Sequence, residues 1–334
     1  MFWATEDYIR RLPKAELHLH LEGSVQPALL KKLMVDGDEE EAEELFAFKD
    51  FDSFLKSFRA VCLQLRDPES YLQVLDELKE YFLQQNICYA EIFYTPSIPW
   101  KWERDGEAIL EALLERGRQI EQEYAIQIQW ILHSVRQFGP ESARQTVELA
   151  ARFRDQGVVA VGLGGDENAL PTEDYQEVFS WARSHQLFVH SHAGEIGEPE
   201  KVWQAVQLLG ANRIGHGIQA ARDSKLMEYL REHSTGLDIC LTSNSRTGAW
   251  RTLSDNPFWL LYKRGVPVTL NTDDPGLFRT TLVEEYRKAV EAFELGCEDL
   301  HRLILQGVHN AFLPHAEKMA LMQRFQEEIA SLSP

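Results

Sequence analysis

The 334-residue chain has few cysteines and few cationic side chains. Its four cysteines, Cys62, Cys88, Cys240 and Cys297, lie far apart and form no Cys-x-x-Cys pair. A disulfide framework and a cysteine-rich zinc site are therefore not expected, and reduced thiols are typical of a cytoplasmic protein. The chain carries 34 Lys and Arg against 53 Asp and Glu, a formal net charge of −19. Because so acidic a surface repels phosphates and anionic lipids, we expect neither nucleic acid nor a membrane as a partner.

Long apolar runs and flexible linkers are also missing. No apolar run approaches the ~20 residues that span a bilayer. The first eight residues have neither the basic nor the apolar region of a signal peptide, so we expect a cytoplasmic location. No linker, low-complexity tract or repeat divides the chain, which predicts a single domain over residues 1–334. The sequence makes no prediction of an oligomeric state.

Short apolar runs alternate with helical segments along the chain. Eight runs have the length and composition of strands, at residues 15–19, 89–94, 127–132, 158–163, 188–192, 213–216, 237–241 and 266–270. Strands that alternate with helices predict crossover connections and a parallel sheet. Eight such units in one chain predict an α/β fold, the closed (β/α)8 TIM barrel.

The interval between the first two predicted strands is longer than one crossover helix requires. Its apolar periodicity predicts helices at 27–35, 51–65 and 68–85. We interpret residues from about 24 to 86 as a helical insertion beside the barrel mouth. The acidic run at 36–44 is interpreted as a solvated helix face or loop.

The first predicted strand ends in two histidines. His18 and His20 are two residues apart, so a strand places both on one face with Cβ atoms about 7 Å apart. Catalytic groups of such barrels lie at the carboxyl ends of strands. Two neutral imidazoles there can bind one divalent cation. A pair of hydrogen-bonded core histidines is the alternative.

The fifth predicted strand ends in a similar pair, His190 and His192, with Glu195 three residues further on. His192 could complete a set of three histidine ligands, and Glu195 could transfer protons beside it. His190 lies deeper in the strand, and we expect a structural role for it.

Two more strand ends carry polar groups. His216 stands between two glycines, where the backbone can approach a ligand closely. It could position or deprotonate a metal-bound water, or belong to a plain turn. Asp273 and Asp274 end the eighth strand, and burying adjacent carboxylates needs a cation or strong donors. One could bind metal and the other substrate, unless both lie in a surface turn.

The order of these motifs resembles the metal-dependent adenosine deaminase family over nearly the whole chain. The matching segments are 13–23, 162–167, 192–195, 215–217, 241–244 and 271–275. The resemblance implies an aminohydrolase that acts on a cyclic amidine C–N bond, converting a 6-aminopurine nucleoside to its 6-oxo form with release of ammonia. The alternatives are a two-metal esterase or amidohydrolase of the same barrel superfamily and a barrel that only binds its ligand. Two-metal members of this superfamily commonly bridge their metals with a carboxylated lysine at the end of strand four. Strand four of this chain ends in glycines and has no lysine there, which favours a single metal.

The family's site residues carry over to matching positions of this chain. The resemblance implies one Zn²⁺ per chain, with four ligands: His18, His20, His192 and Asp273. It implies that Glu195 shuttles a proton to purine N1 and that His216 orients and activates the metal-bound water. Gly165 and Asp274 would contact purine N3 and N7.

Two departures from the adenosine deaminase pattern bear on the substrate. Glu22 stands where adenosine deaminases usually have an Asp that contacts the ribose 5′-hydroxyl, and Gly162-Leu-Gly-Gly165 stands where they usually have Asp-Leu-Ala-Gly. The combination is most similar to the branch that deaminates 6-amino-6-deoxyfutalosine, a nucleoside of menaquinone biosynthesis with a benzoate on its 5′ side. Adenosine, and then adenine, are the alternatives. Arg246 and Arg279 are candidates to bind the benzoate, unless they are surface or structural arginines.

Overall fold

Eight parallel strands form one sheet in the order of the sequence in a computed structural model that describes residues 5–34 and 39–332. The strands are β1 (Lys14–His20), β2 (Ile87–Tyr94), β3 (Gln127–Val135), β4 (Val158–Gly164), β5 (Phe188–Ala193), β6 (Arg213–His216), β7 (Gly236–Ile239) and β8 (Val268–Leu270). A parallel bridge between Leu19 and Asp273 joins the end of β8 to β1. The barrel is therefore nearly closed, and the predicted (β/α)8 fold is confirmed.

The chain between β1 and β2 is helical, as predicted. After α1 (Glu6–Arg11), which precedes the barrel, this part contains α2 (Pro27–Leu33), α3 (Glu39–Glu44), α4 (Phe51–Gln64) and α5 (Pro68–Gln85). Asp50 and Asp67 begin α4 and α5 with capping boxes, accepting from the backbone N–H three residues on. The start of the acidic run at 36–38, and residue 35 of the predicted first helix, lie outside the described residues.

The remaining helices follow the strands and finish the outer layer. They are α6 (Ser97–Lys101), α7 (Gly106–Tyr124), α8 (Gly139–Phe153), α9 (Gln176–Ser184), α10 (Pro199–Gln204), α11 (Ser224–Glu232), α12 (Leu241–Arg246), α13 (Phe258–Lys263), α14 (Pro275–Phe278), α15 (Leu282–Phe293), α16 (Cys297–Asn310) and α17 (His315–Ser331). Each amphipathic helix buries its apolar face, as α7 does with Ile109, Leu113 and Ile120. In the described ranges no helix has the length and apolarity to cross a membrane.

Shorter helical turns connect several of these elements. The 3-10 turns are Glu22–Ser24, Arg136–Phe138, Arg154–Gln156, Thr172–Tyr175 and Ile218–Arg222, and Ala205–Leu209 is a π-helix. The seventh strand ends at Ile239, two residues before its predicted end, because the chain turns into α12 at Leu241. Residues 1–4, part of the segment on which the localisation prediction depends, lie outside the described residues.

A buried ionic network fills the barrel below its carboxyl end. The Arg213 guanidinium donates to Asp238 Oδ2 (2.6 Å) and Glu91 Oε2 (2.5 Å). It also donates to the backbone oxygens of Leu17 and Asn310, both at 2.9 Å. Arg213 is 1% exposed. One side chain therefore links β1, β2, β6, β7 and the end of α16 across the interior of the barrel.

We predict that Arg213→Met destabilises the protein by about 3–5 kcal/mol, because it leaves two buried carboxylates without their cation. The free energy of unfolding from urea titration measures the change. Arg302→Met is the matched control, since Arg302 pairs with Glu298 at 3.6 Å with a 68% exposed side chain and such a pair contributes about 0–1 kcal/mol. Equal losses in the two variants would contradict the prediction.

Candidate active site

Asp273 closes the barrel through its backbone, and its side chain belongs to the cluster of polar side chains at the mouth. Its backbone N–H donates to His18 O (3.0 Å), and its backbone oxygen accepts from His20 N–H (2.8 Å). Its φ of +68° turns the chain sharply just after β8. The side chain then faces the imidazoles of β1, with Asp273 Oδ1 3.1 Å from His18 Nε2 and 3.4 Å from His20 Nε2.

The four predicted metal ligands converge. Ligand atoms of His18, His20, His192 and Asp273 all lie within 4.8 Å of one another, and all four side chains are buried. The Nε2 atoms of His20 and His192 are only 3.2 Å apart. Burial lowers the pKa of His18 and His20 well below the usual histidine range and that of His192 to about 4.

Three neutral imidazoles and one carboxylate oxygen directed at a common point are the donor set of a divalent transition metal. The ring nitrogens of His18 and His20 that face away from this point, both Nδ1, are buried without a hydrogen-bond partner among the described residues. The Ser243 hydroxyl donates to Asp273 Oδ2 at 2.7 Å, which holds the carboxylate in place. The residues present therefore fit a metal ion.

Glu195 lies beside this cluster on a loop that Glu167 holds. The Glu167 carboxylate accepts from three consecutive backbone N–H groups, those of Gly194 (2.6 Å), Glu195 (2.8 Å) and Ile196 (3.2 Å). Burial raises the pKa of Glu195 well above its usual range, and the charges of Asp273 and Glu167 add to this effect. This environment favours the protonated form of the carboxyl group, which can act as a general acid.

His216 faces the same space from the end of β6. Its backbone has a φ of +60°, so the flanking glycines accompany a tight turn rather than a continued strand. Asn244 Nδ2 donates to His216 Nδ1 at 3.1 Å, which leaves the ring proton on Nε2. That atom lies 3.7 Å from Glu195 Oε2 and 3.9 Å from Asp273 Oδ2. His216 can therefore donate to a group held between the cluster and Glu195.

Gly165 and Asp274 line the same cavity. Gly165 has a φ of +90°, where a side chain would be strained and would meet Gln137. Asp274 is 2% exposed, and its Oδ1 has no hydrogen-bond partner among the described residues. Burial, followed by the adjacent Asp273 charge, raises the pKa of Asp274 well above its usual range. A protonated Asp274 can donate to a ligand nitrogen.

Glu22 is a predicted site residue whose side chain is held inside the protein. It is fully buried, and its Oε1 accepts from Thr95 N–H at 2.9 Å. Thr95, and not Glu22, lines the cavity. The second carboxyl oxygen of Glu22, Oε2, has no hydrogen-bond partner in the described part of the chain. Burial raises the pKa of Glu22 to about 7. Its contact with substrate stays a prediction.

The two arginines considered for a substrate anion lie away from the cavity wall. The Arg246 guanidinium donates to the backbone oxygens of Leu277 (2.9 Å) and Phe46 (2.8 Å). Arg279 forms an ion pair with Glu43. Both arginines thus join the loop after β8 to the helices after β1, which is a structural role.

Sequence reasoning missed His133, at the carboxyl end of β3. Its Nε2 lies 3.2 Å from His192 Nδ1, the ring nitrogen that faces away from the cluster. His190, for which a structural role is predicted, lies 3.2 Å from Asp238 Oδ2 through its own Nε2. The signal that could have identified His133 is the one used for His18 and His192, a histidine at the end of a predicted strand.

The cavity at the mouth has a volume of about 490 Å³, within the range for small-molecule sites. Its inner part is formed by the cluster, with Glu195, His216, Gly165 and Asp274. Its outer part is formed by α4, α6 and the segment after β3. The buried inner part can hold a compact polar ring system, and space continues outward from it.

Comparison with known proteins agrees with this site. A sequence model of the family described as adenosine deaminase matches residues 13–328. An aminodeoxyfutalosine deaminase of Streptomyces avermitilis is 36% identical over 320 residues, covering 93% of this chain and 89% of that one. An adenine deaminase of Crocosphaera subtropica is 33% identical over 320 residues, covering 94% and 98%.

A solved structure shares the fold. The crystal structure of an adenine deaminase from Arthrobacter aurescens superposes with a TM-score of 0.90 at 24% identity, covering 96% of this chain and 100% of that one. At this identity the likeness is evidence for the fold alone.

We predict that His133→Phe weakens metal binding about 10–100-fold, because it removes the partner that orients the His192 ring. The dissociation constant for Zn²⁺, measured by competition with a chelator, reports the change. His185→Phe is the control, since His185 is exposed and stacks on Trp181 at the protein surface. Unchanged affinity in the His133 variant would contradict the orienting role.

Proposed function

The chain belongs to the adenosine deaminase family, a metal-dependent family of hydrolytic deaminases, and from this premise we propose that its substrate is 6-amino-6-deoxyfutalosine. The reaction would convert the 6-amino group of the purine to a 6-oxo group and release ammonia. The observation that supports this chemistry most directly is the convergence of four buried ligands beside Glu195 and His216. On this proposal the protein is a cytoplasmic enzyme of menaquinone biosynthesis.

We assign His18, His20, His192 and Asp273 as the ligands of one zinc ion. These residues fit the metal because their imidazoles are neutral and their ligand atoms share one small volume. Zinc bound there would lower the pKa of a water to about 7 and so supply a nucleophile at neutral pH.

Glu195 is assigned as the general acid. Addition of the water oxygen to C6 breaks the aromaticity of the ring and places negative charge on N1. The raised pKa of Glu195 favours the protonated carboxyl group, and its proton can pass to N1 as the charge develops. Transfer of the proton from the new C6 hydroxyl to the amino group then allows the C6–N6 bond to break, so that the 6-oxo group forms and ammonia leaves.

Three other groups hold the reacting parts in place. His216 Nε2, fixed by the contact of Asn244 with Nδ1, would donate to the attacking oxygen and orient it. Asp274, whose pKa is raised by burial and by the adjacent Asp273 charge, would donate to purine N7 in its protonated form. The positive φ of Gly165 leaves its backbone uncovered for a contact with purine N3. Purine N3 and N7 are both hydrogen-bond acceptors, so a donor is required at each of these two positions.

The choice of substrate depends on two lines of support. The relative from Streptomyces avermitilis carries the name aminodeoxyfutalosine deaminase at 36% identity. Glu22 and the glycines at 162–165 depart from the usual adenosine deaminase pattern, and the Asp that Glu22 replaces usually contacts the ribose 5′-hydroxyl. Adenosine is the second candidate, followed by adenine, the substrate named for the relative from Crocosphaera subtropica.

We predict that kcat/KM for 6-amino-6-deoxyfutalosine exceeds that for adenosine and adenine by at least about tenfold, equivalent to ~1.4 kcal/mol. Ammonia release by one zinc-loaded preparation, measured with all three substrates, tests the prediction. A higher kcat/KM for adenosine or adenine would contradict the proposed substrate while leaving the family and the chemistry in place.

Glu195→Gln should retain bound metal and lower kcat by about 10²–10⁴-fold, because the amide cannot supply the proton. Metal analysis of the purified variant separates this effect from loss of the ligand cluster. Turnover at the wild-type rate, with metal bound, would remove Glu195 from the proton-transfer role.

A further inference from the structure

The outer part of the cavity differs in chemistry from the inner part. We define the outer wall by the following lining residues: Phe51, Asp52, Leu55, Lys56, Phe58 and Arg59 of α4, together with Lys101 and Trp102. The inner part carries carboxylates and histidines. The outer wall carries aromatic rings and cations, so the two parts suit different portions of one ligand.

The apolar side chains of the outer wall lie on one face of α4. Phe51, Leu55 and Phe58 are spaced four and three residues apart, which places them in a row along a helix. All three are only half-buried, although each lines the cavity. The Phe58 ring lies 6.2 Å from the His20 ring, edge to face. The row therefore begins next to the metal cluster and continues outward.

The cations of the outer wall are exceptional in so acidic a chain. Arg59 is exposed and has no ion-pair or hydrogen-bond partner in the described residues. Lys101, from a different element, lies 4.5 Å from the centroid of the Phe138 ring. Lys56 and the carboxylate of Asp52, both on α4, also line this part of the cavity. The outer wall thus carries three cations and one carboxylate, although the whole chain has a net charge of −19.

We propose that Arg59, assisted by Lys101, binds a carboxylate carried on an aromatic ring at the sugar end of the nucleoside, with the ring packed against Phe58 and Phe51. This inference rests on the proposed function and replaces Arg246 and Arg279 as the anion-binding residues. A guanidinium binds a carboxylate through two parallel hydrogen bonds and also packs well beside aromatic rings. The local positive charge explains how an anion could enter the mouth of an acidic protein.

The anion could belong to a carboxylate or to a phosphate, since both pair with arginine. The half-buried aromatic and aliphatic row favours an anion attached to an apolar ring, because a phosphate alone would leave Phe51, Leu55 and Phe58 uncovered. AMP provides the phosphate in the test below.

The experiment compares kcat/KM of the zinc-loaded enzyme for 6-amino-6-deoxyfutalosine, its neutral methyl ester, AMP and adenosine. We expect the wild type to prefer the acid to the ester, and Arg59→Gln to lower this acid-to-ester ratio by about 10–100-fold, the effect of losing a hydrogen-bonded charge. Lys101→Gln should lower it less, and Arg59→Lys should recover part of it.

Arg66→Gln is the matched control, because Arg66 donates to Gln64 on the exposed surface of the same helical region and does not line the cavity. Its acid-to-ester ratio should equal that of the wild type. An unchanged ratio in Arg59→Gln, or an equal loss on all four substrates, overturns the assignment of Arg59 and leaves the proposed function intact.

The remaining outcomes concern the wild type. If the wild type prefers AMP to the acid, the cations of the outer wall bind a phosphate. That result overturns the proposal that they bind an aromatic carboxylate. A preference for adenosine over both anions overturns the proposed substrate together with the anion subsite.

Discussion

The whole arrangement depends on the backbone bridge between the loop after β8 and β1. Asp273 exchanges hydrogen bonds with His18 and His20 through its main chain, and its side chain meets the same two histidines. The same residue therefore closes the barrel through its backbone and contributes its side chain to the ligand cluster. A metal bound to both strands would stabilise the closed barrel, since binding to the native state alone adds to the free energy of unfolding.

Buried carboxyl groups have different surroundings inside the barrel and near its mouth. Arg213 compensates Glu91 and Asp238 inside the barrel, whereas the carboxyl groups nearer the mouth have no such cation. Burial raises the pKa of Glu195 and Asp274 well above their usual range instead. The same burial thus has two consequences: a fixed ion network inside the barrel, and carboxyl groups near the mouth whose protonated form is favoured.

Much of the fold was predictable because strand and helix periods alternate clearly along the chain. The strand-end positions of His18, His20, His192 and Asp273 followed from the same pattern, since parallel strands bring their carboxyl ends to one edge. Contacts between side chains from distant strands were not predictable. His133 contacts His192, 59 residues further along the sequence. Arg213 donates to the backbone oxygen of Leu17, which is 196 residues away in the sequence. Arg246 and Arg279 follow strand-end motifs closely, yet their side chains turn toward backbone oxygens and Glu43, which no local pattern records.

The placement of α4 has a consequence for divergence among relatives. The proposed specificity groups on α4 belong to one contiguous segment between β1 and β2, whereas the ligand cluster is distributed over β1, β5 and the loop after β8. Substitutions in α4 can therefore alter the outer wall without moving a ligand. Recombination of this segment alone would exchange one ligand preference for another, and the reaction itself would be inherited unchanged.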